Sequence, residues 1–407
     1  MNTVRLGDIC QFINGGAWTQ SEFSDSGYPV LKVSNCKPSG FVIDDVSYIP
    51  LDVAEKSETN KLHVHDVIIA TVGSHPNLVD SAAGRSCIVT DEVNGYYLNQ
   101  NAVCLRTLDD NILNQRYLGF LTQYFPFQHY IQSRGKGAAN QMRIAISAIK
   151  DYTFELPEII VQNRVANILS AYDDLIENNQ KQIKLLEEAA QRLYKEWFVD
   201  LRFPGYENTP IFDDVPQVWK VDAVKSVVSL LSGYAFKSSD FVDNGQYKIV
   251  TIKNVQDGNF DGENVNTIAE IPSKMPSHCA LNDGDILLSL TGNVGRVCLV
   301  NGEDYLLNQR VAKLHSKYPA YAYCLFRGKD MFDIMNNLAN GAAQQNLSPI
   351  RTENVRILIP SDSLIQKFEG VVSPMIAKIL LLNKSNSNLK QARDRLLPKL
   401  MNGEIEV

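Results

Sequence analysis

Arginine, asparagine and glutamine recur beside glycines in this chain, twice over and in the same order. Gly73-Ser74 ends the apolar run VIIATV (67–72), and Gly292-Asn293 ends ILLSL (286–290). Arg85 and Arg296 follow, then Asn99 and Gln100 in one series and Gln309 and Arg310 in the other. Each series closes on a Gly-Ala loop rich in amides. The first is RGKGAANQMR (134–143), with Arg134, Lys136, Gln141 and Arg143; the second is GAAQQN (341–346), with Gln344, Gln345 and Asn346. A strand ending in Gly and a small polar residue must turn sharply, leaving those groups outside the sheet. Arg, Asn and Gln are the side chains that make paired hydrogen bonds to guanine and adenine edges. Any one of them alone fits a loop cap or turn former equally well; the matched set points to a shared binding face. Trp18 and Phe236 lie in matched glycine- and alanine-containing turns and could stack on a base or anchor their loop to the core. Lys32, Lys237 and Lys253 are candidate phosphate contacts, with ordinary solvated lysines as the alternative.

Catalytic chemistry is not indicated. The sequence has no GxSxG, HExxH, Walker or Rossmann glycine motif. No lysine has an acidic residue two positions before it, and no two prolines are adjacent, so common nuclease metal-site and amino-methyltransferase signatures are missing. His63 and His65 could ligate a metal, but no third ligand is near, and a strand-surface pair is the expectation. No catalytic residue, no metal ligand and no cofactor are assigned to this chain.

The elements that must hold these residues are legible as a duplication. LGDICQFINGGAWTQSEFSDSGYPVLKVSN in the first half answers VVSLLSGYAFKSSDFVDNGQYKIVTIKN in the second, with Ala17, Trp18, Phe23 and Asn35 matching Ala235, Phe236, Phe241 and Asn254. HDVIIATVGS matches GDILLSLTGN, GRSCIV matches GRVCLV, and YLNQNAV matches LLNQRVA. RGKGAANQ (134–141) parallels LANGAAQQ (338–345), each running into an Ile/Leu-Ser pair and a strand ending in Pro. Helical stretches are expected at about 115–132 and 320–339, and strands elsewhere, giving two similar α+β halves.

After each half comes a long helix. Leu169, Tyr172, Ile176, Asn179, Ile183, Leu186, Ala190, Leu193 and Trp197 alternate by threes and fours, as do Ile365, Phe368, Val372, Met375, Ile379, Leu382, Asn386, Leu389, Arg393, Leu396 and Leu400. A helix of the first kind would be roughly 60 Å long and needs a partner for its single seam. The partner expected is the other helix, in an antiparallel coiled coil, with Asn179 and Asn386 setting register. Gln162 and Gln366 sit at the same place in each helix start. Ile168, Leu175, Leu185, Ile376, Leu380 and Leu381 lie off the seams and need either the chain's own domains or another protein to cover them. The domains read as 1–157, a helix over 158–201, a proline-rich linker over 202–218, a second domain over 219–360 and a second helix over 361–407.

Composition agrees with a folded protein of several domains: 407 residues, 44% hydrophobic and 21% charged. The net charge of −7 is acidic for a DNA-binding protein, so DNA binding would need charge supplied by a partner. Seven scattered cysteines without a CxxC pair, and no membrane-length apolar run, fit a reducing cytoplasm.

The ordered series SGYAFKSSDF, KNVQDGNF, LNDGDILLSLTGNVG, LLNQRVAKL and GAAQQNLSPIRTENVRILIP resembles the DNA-specificity (S) subunits of Type I restriction-modification systems. So does LPEIIVQNRVANILSAYDDLIENNQKQIKLLEEAAQRLYKEWF, and the resemblance spans essentially the full chain. The first half departs from the pattern at QMRIAIS and at the insert HPNLVDSAA. The resemblance implies two target-recognition domains, each reading half of a split double-stranded DNA site, with the paired helices setting the spacing. It implies two methyltransferase (M) subunits bringing S-adenosylmethionine, and restriction (R) subunits using ATP and Mg. A coiled-coil scaffold whose domains bind proteins is the alternative.

Overall fold

An apolar run with no polar alternation marks a strand covered on both faces. Val67–Ala70 is such a strand and is buried throughout. Successive side chains point to opposite faces, so Val67 and Ile69 enter one core with Val103, Leu105 and Phe120, while Ile68 enters another with Leu31, Cys87 and Cys104. In Ile286–Ser289, Ile286 and Leu288 pack with Leu230, Ala312 and Phe326, and Leu287 packs with Val250, Cys298 and Leu307.

The computed structural model describes residues 2–37, 40–43, 46–74, 83–138, 141–213, 215–263, 265–339 and 345–407. They fall into two units: Met1–Asp174 with Leu389–Val407, and Leu175–Asn388. Both are α+β. In unit 1 the central antiparallel sheet runs Cys10–Asn14, Ala102–Thr107, Val67–Ala70, Ser86–Ile88. In unit 2 the same order is Ser229–Ser232, Val311–His315, Ile286–Ser289, Val297–Leu299. A second sheet in each contains one parallel pair, Tyr28–Leu31 with Tyr97–Leu98 and Tyr247–Val250 with Tyr305–Leu307. An early strand of each unit pairs antiparallel with its last: Asn2–Arg5 with Thr153–Leu156, and Lys220–Ala223 with Arg356–Ile359. The duplication read from sequence is thus a duplication of topology.

Each expected single helix is two. Unit 1 has Gln115–Gln123 and Phe125–Ser133, broken at an extended Tyr124. Pro126 could not continue the first helix without losing a hydrogen bond and clashing, but it is tolerated in the first turn of a new one. Gln128 compensates, its amide nitrogen donating to the Thr122 carbonyl at 2.5 Å. Unit 2 has Pro319–Arg327 and Lys329–Leu338, broken at an extended Gly328.

The long helices are Ile159–Tyr194, ending in a π-helical turn at Lys195–Val199, and Asp362–Met401. In unit 1, Val165, Ala166 and Leu169 share a core with Leu400, and Leu396 and Leu397 pack against it. Arg393 of the second seam donates to Asp173. Burial pushes the Asp173 carboxyl above its usual range, and the charge and hydrogen bond of Arg393 oppose that rise. In unit 2, Asn179 donates to Asn386 at 2.8 Å, with both side chains buried. Trp197 and Tyr194 meet Phe368 at centroid distances of 5.8 and 6.2 Å. In both units rising numbers on one helix meet falling numbers on the other, so the packing is antiparallel.

Of the residues off the seams, Ile376 and Leu380 pack on the core of unit 2, whereas Ile168, Leu175, Leu185 and Leu381 are 36–64% exposed. Gln162 is buried and accepts from the Asn114 backbone at 3.0 Å, yet Gln366 is exposed. Residues 202–218 include a short 3-10 turn, Tyr206–Asn208, and a small hairpin of Ile211–Phe212 with Val215–Pro216.

Candidate nucleic-acid interface

Three segments meet where the central strand of each unit ends, and they are joined through main-chain hydrogen bonds. In unit 1 the Thr71 N–H donates to the Asn101 carbonyl at 2.8 Å, and Ile144 donates to Thr71 at 2.8 Å. Met142 lies opposite Gly73 and Arg143 opposite Val72 in antiparallel register. A fourth segment closes the face: Gln100 donates to the Gly16 carbonyl at 2.8 Å. In unit 2 Leu290 donates to Arg310 at 3.0 Å, Leu347 to Leu290 at 2.8 Å, and Gln309 to Tyr234 at 3.0 Å. Asn346 bridges Thr291, and Gly292 donates to Gln345 at 3.3 Å.

These bonds fix which residues correspond. Gln100 answers Gln309, Asn101 answers Arg310, Val72 answers Thr291, and Ser74 answers Asn293. On the returning segment Met142 answers Gln345 and Arg143 answers Asn346. The sequence pairing of Gln141 with Gln345 is therefore out by one residue, and Ile144-Ala145, not Ile146-Ser147, answers Leu347-Ser348. Matching by identity rewarded the shared amide; backbone register ignores side chains.

A buried asparagine staples a neighbouring loop in each unit, a role the sequence match of Asn35 with Asn254 did not reveal. Asn35 accepts from the Lys32 N–H at 2.9 Å and donates to the Val42 carbonyl at 2.8 Å. Asn254 accepts from Thr251 and donates to Asp261, both at 2.8 Å. Arg85 and Arg296 are half-buried and brace these loops: Arg85 donates to the Cys36 carbonyl at 2.6 Å, and Arg296 donates to the Gln256 side chain. Both arginines read best as positioning residues.

The remaining candidates divide clearly. Trp18 is 9% exposed, packs with Val30, Ile49 and Tyr97, and donates to Ser57 at 3.2 Å, so its ring is an anchor and is not free to stack on a base. Phe236 is half-buried edge-on to Tyr234, with centroids 5.1 Å apart. The Lys32 ammonium donates to Ser47 at 2.6 Å and lies over the Phe23 ring. Ser74 is half-buried. Gln100, Arg134, Lys136, Gln141 and Arg143 are exposed in unit 1; Lys237, Lys253, Asn293, Gln309, Arg310, Gln345 and Asn346 are exposed in unit 2. Gln344 lies outside the described residues, as does most of the insert HPNLVDSAA. Asn101 and Thr291, missed from sequence, belong to the same faces; only the backbone bonds reveal them.

His63 and His65 lie in a tight turn before Val67–Ala70 and not on a strand surface. The Asp66 carboxylate accepts from the His63 backbone at 2.8 Å, and His65, with a left-handed φ of 72°, accepts from Arg116 at 3.2 Å. Among the described residues no group of three or more His, Cys, Asp or Glu could hold a metal ion, and no helix is long and apolar enough to cross a membrane. The seven cysteines are free and buried, and burial pushes the Cys10 thiol up to about 12.

Comparison with known proteins gives a consistent result. The model of the Type I restriction modification DNA specificity domain matches residues 1–188 and 216–391. The chain is 28% identical over 310 residues to the Type I restriction enzyme MjaIX specificity subunit of Methanocaldococcus jannaschii, covering 73% of this chain and 70% of that protein. It is 21% identical over 392 residues to the Type I restriction enzyme HindI specificity subunit of Haemophilus influenzae, covering 79% and 84%. The crystal structure of the Type-I restriction-modification system S subunit from M. genitalium shares the fold, with a TM-score of 0.55 at 15% identity over 98% of this chain and 95% of that one.

Proposed function

Because the chain belongs to the Type I restriction modification DNA specificity family, we propose that it is a noncatalytic reader of a bipartite double-stranded DNA target. The observation that carries this reading is the recurrence of one main-chain framework in two units, each presenting exposed Arg, Asn or Gln side chains. Such side chains discriminate base edges, while cations beside them hold phosphates. Each unit would read one half of the target. The chain would direct methyltransferase subunits, two per complex, and restriction subunits to it. S-adenosylmethionine, ATP and Mg would be bound by those partners. The exposed Ile168, Leu175, Leu185 and Leu381 offer apolar surface for partner docking.

The test is co-expression with the cognate methyltransferase subunit followed by methylation mapping of the cellular DNA. Methyladenine confined to one bipartite motif is the expected result. A stable complex with no methylated motif would favour a scaffold whose domains bind proteins. Deleting one heptad from each long helix removes about 10 Å of helix, so the spacer between half-sites should shorten by roughly three base pairs. An unchanged spacer would show that the helices do not set it.

A further inference from the structure

The two reading faces share a frame but differ at the returning segment. In unit 1, Lys136–Ala138 and Gln141–Arg143 form a hairpin, with Lys136 directly opposite Arg143. Arg134 caps the preceding helix with its guanidinium over the Tyr130 ring, 4.6 Å from the centroid. No ion pair joins Arg134, Lys136 or Arg143 to another described residue. Met142, 2% exposed, pins the hairpin into the core, so its charged residues project from a fixed base.

Unit 2 has no charge at the matching described places. Ala339 caps the equivalent helix, Asn346 stands for Arg143, and exposed Gln345 stands for buried Met142. Its cations, Lys237, Lys253 and Arg310, sit on other segments. Beside Asn346 the Thr291 hydroxyl is buried and has no hydrogen-bond partner among the described residues. A buried hydroxyl left unpaired is costly unless a ligand supplies the missing bond.

We propose that the returning segment has opposite roles in the two units. In unit 1 it is a basic ribbon in which Arg134, Lys136 and Arg143 grip phosphates. In unit 2 it reads base edges through Gln345 and Asn346, beside Thr291 of the segment it pairs with. The inference rests on the DNA-reading function proposed above and asks how each unit performs it.

The test uses the full chain in complex with its methyltransferase partner. Probes are a short duplex carrying the motif found by methylation mapping and a random duplex of equal length. Replacing the three unit 1 cations by Gln should lower the salt slope of binding by two to three, about 0.9 for each phosphate no longer neutralised, and weaken both duplexes alike. Charge-conserving Arg143→Lys with Lys136→Arg should keep the slope. Gln345→Ala with Asn346→Ala should leave the slope unchanged and reduce discrimination roughly tenfold to hundredfold at positions within a single half-site. Thr291→Val should act in the same half-site. Relaxed discrimination with an unchanged slope in the cation variants would overturn the proposal, as would a lowered slope in the amide variants. Equal affinity of the unaltered complex for both duplexes would instead overturn the DNA-reading function itself.

Discussion

Unit 1 and unit 2 repeat the order of the central sheet, the parallel pair and the closing antiparallel pair, yet they hold their long helices by different chemistry. At its buried contact with the long helix unit 1 uses a neutral amide, and its ion pair of Arg116 with Asp174 lies at the surface. Gln162 accepts from Asn114 at 3.0 Å and donates to the carbonyls of Ile112 and Pro157, both at 2.9 Å. Unit 2 uses charge: Arg327 donates to Glu187 at 2.8 Å and to the Tyr323 hydroxyl at 3.0 Å, which itself donates to Glu187 at 2.8 Å. Burial works against the Arg327 charge, but Tyr323, Glu187 and Asp257 outweigh it and hold the guanidinium above its usual range. Topology can therefore be copied while the fastening is replaced.

The largest test of that contrast removes one partner of each fastening. Arg327→Met leaves the half-buried Glu187 without its counter-charge and should cost about 3 kcal/mol in urea unfolding. Gln162→Leu, which orphans neutral groups, should cost about 1–3 kcal/mol. Adding Glu187→Leu to Arg327→Met should recover much of the loss. Equal costs for the two single variants would erase the distinction between charge and amide.

Where the units agree, substitutions should agree too. A Cβ on Gly15 would fall 1.9 Å from the Asn99 carbonyl oxygen, and one on Gly233 would fall 2.1 Å from that of Asn308. Gly15→Ala and Gly233→Ala should each destabilise by about 1–3 kcal/mol in thermal unfolding. A large inequality between them would mean that the two main-chain frameworks are not equivalent.

The smallest effect concerns pH. The Asp173 carboxyl is raised by burial in the folded state, so it binds its proton more tightly there than in the unfolded chain. Its contribution to stability is full below the ordinary value of 3.8 and is lost as pH rises through the folded one. Asp173→Asn removes that loss, so its unfolding free energy relative to the unaltered chain should rise as pH increases above the ordinary value of 3.8. A pH-independent difference would place Asp173 outside this account.

Much of this architecture was legible because it depends on patterns that sequence carries directly. VIIATV and ILLSL announce strands buried on both faces, and three-four spacing announces the seams on which Asn179 and Asn386 meet. The ordered repeats announce the duplication. What stayed hidden depends on backbone register or on a neighbour distant in sequence. The one-residue slip at Met142 is invisible without the strand it pairs with. The break at Tyr124 needed Pro126 weighed as a helix starter. Trp18 and Arg85 have the right chemistry for nucleic acid, but the core and the Cys36 carbonyl already occupy them.

The faces proposed to read DNA are assembled by hydrogen bonds from one stretch of main chain to another. Replacing an exposed side chain such as Gln100, Arg143 or Asn346 removes none of the bonds that hold its segment in place. Surface changes of that kind usually move stability by no more than about 0.5 kcal/mol. On the proposed DNA-reading function, a lineage carrying this protein could therefore acquire a new target by single substitutions, each passing through a folded intermediate.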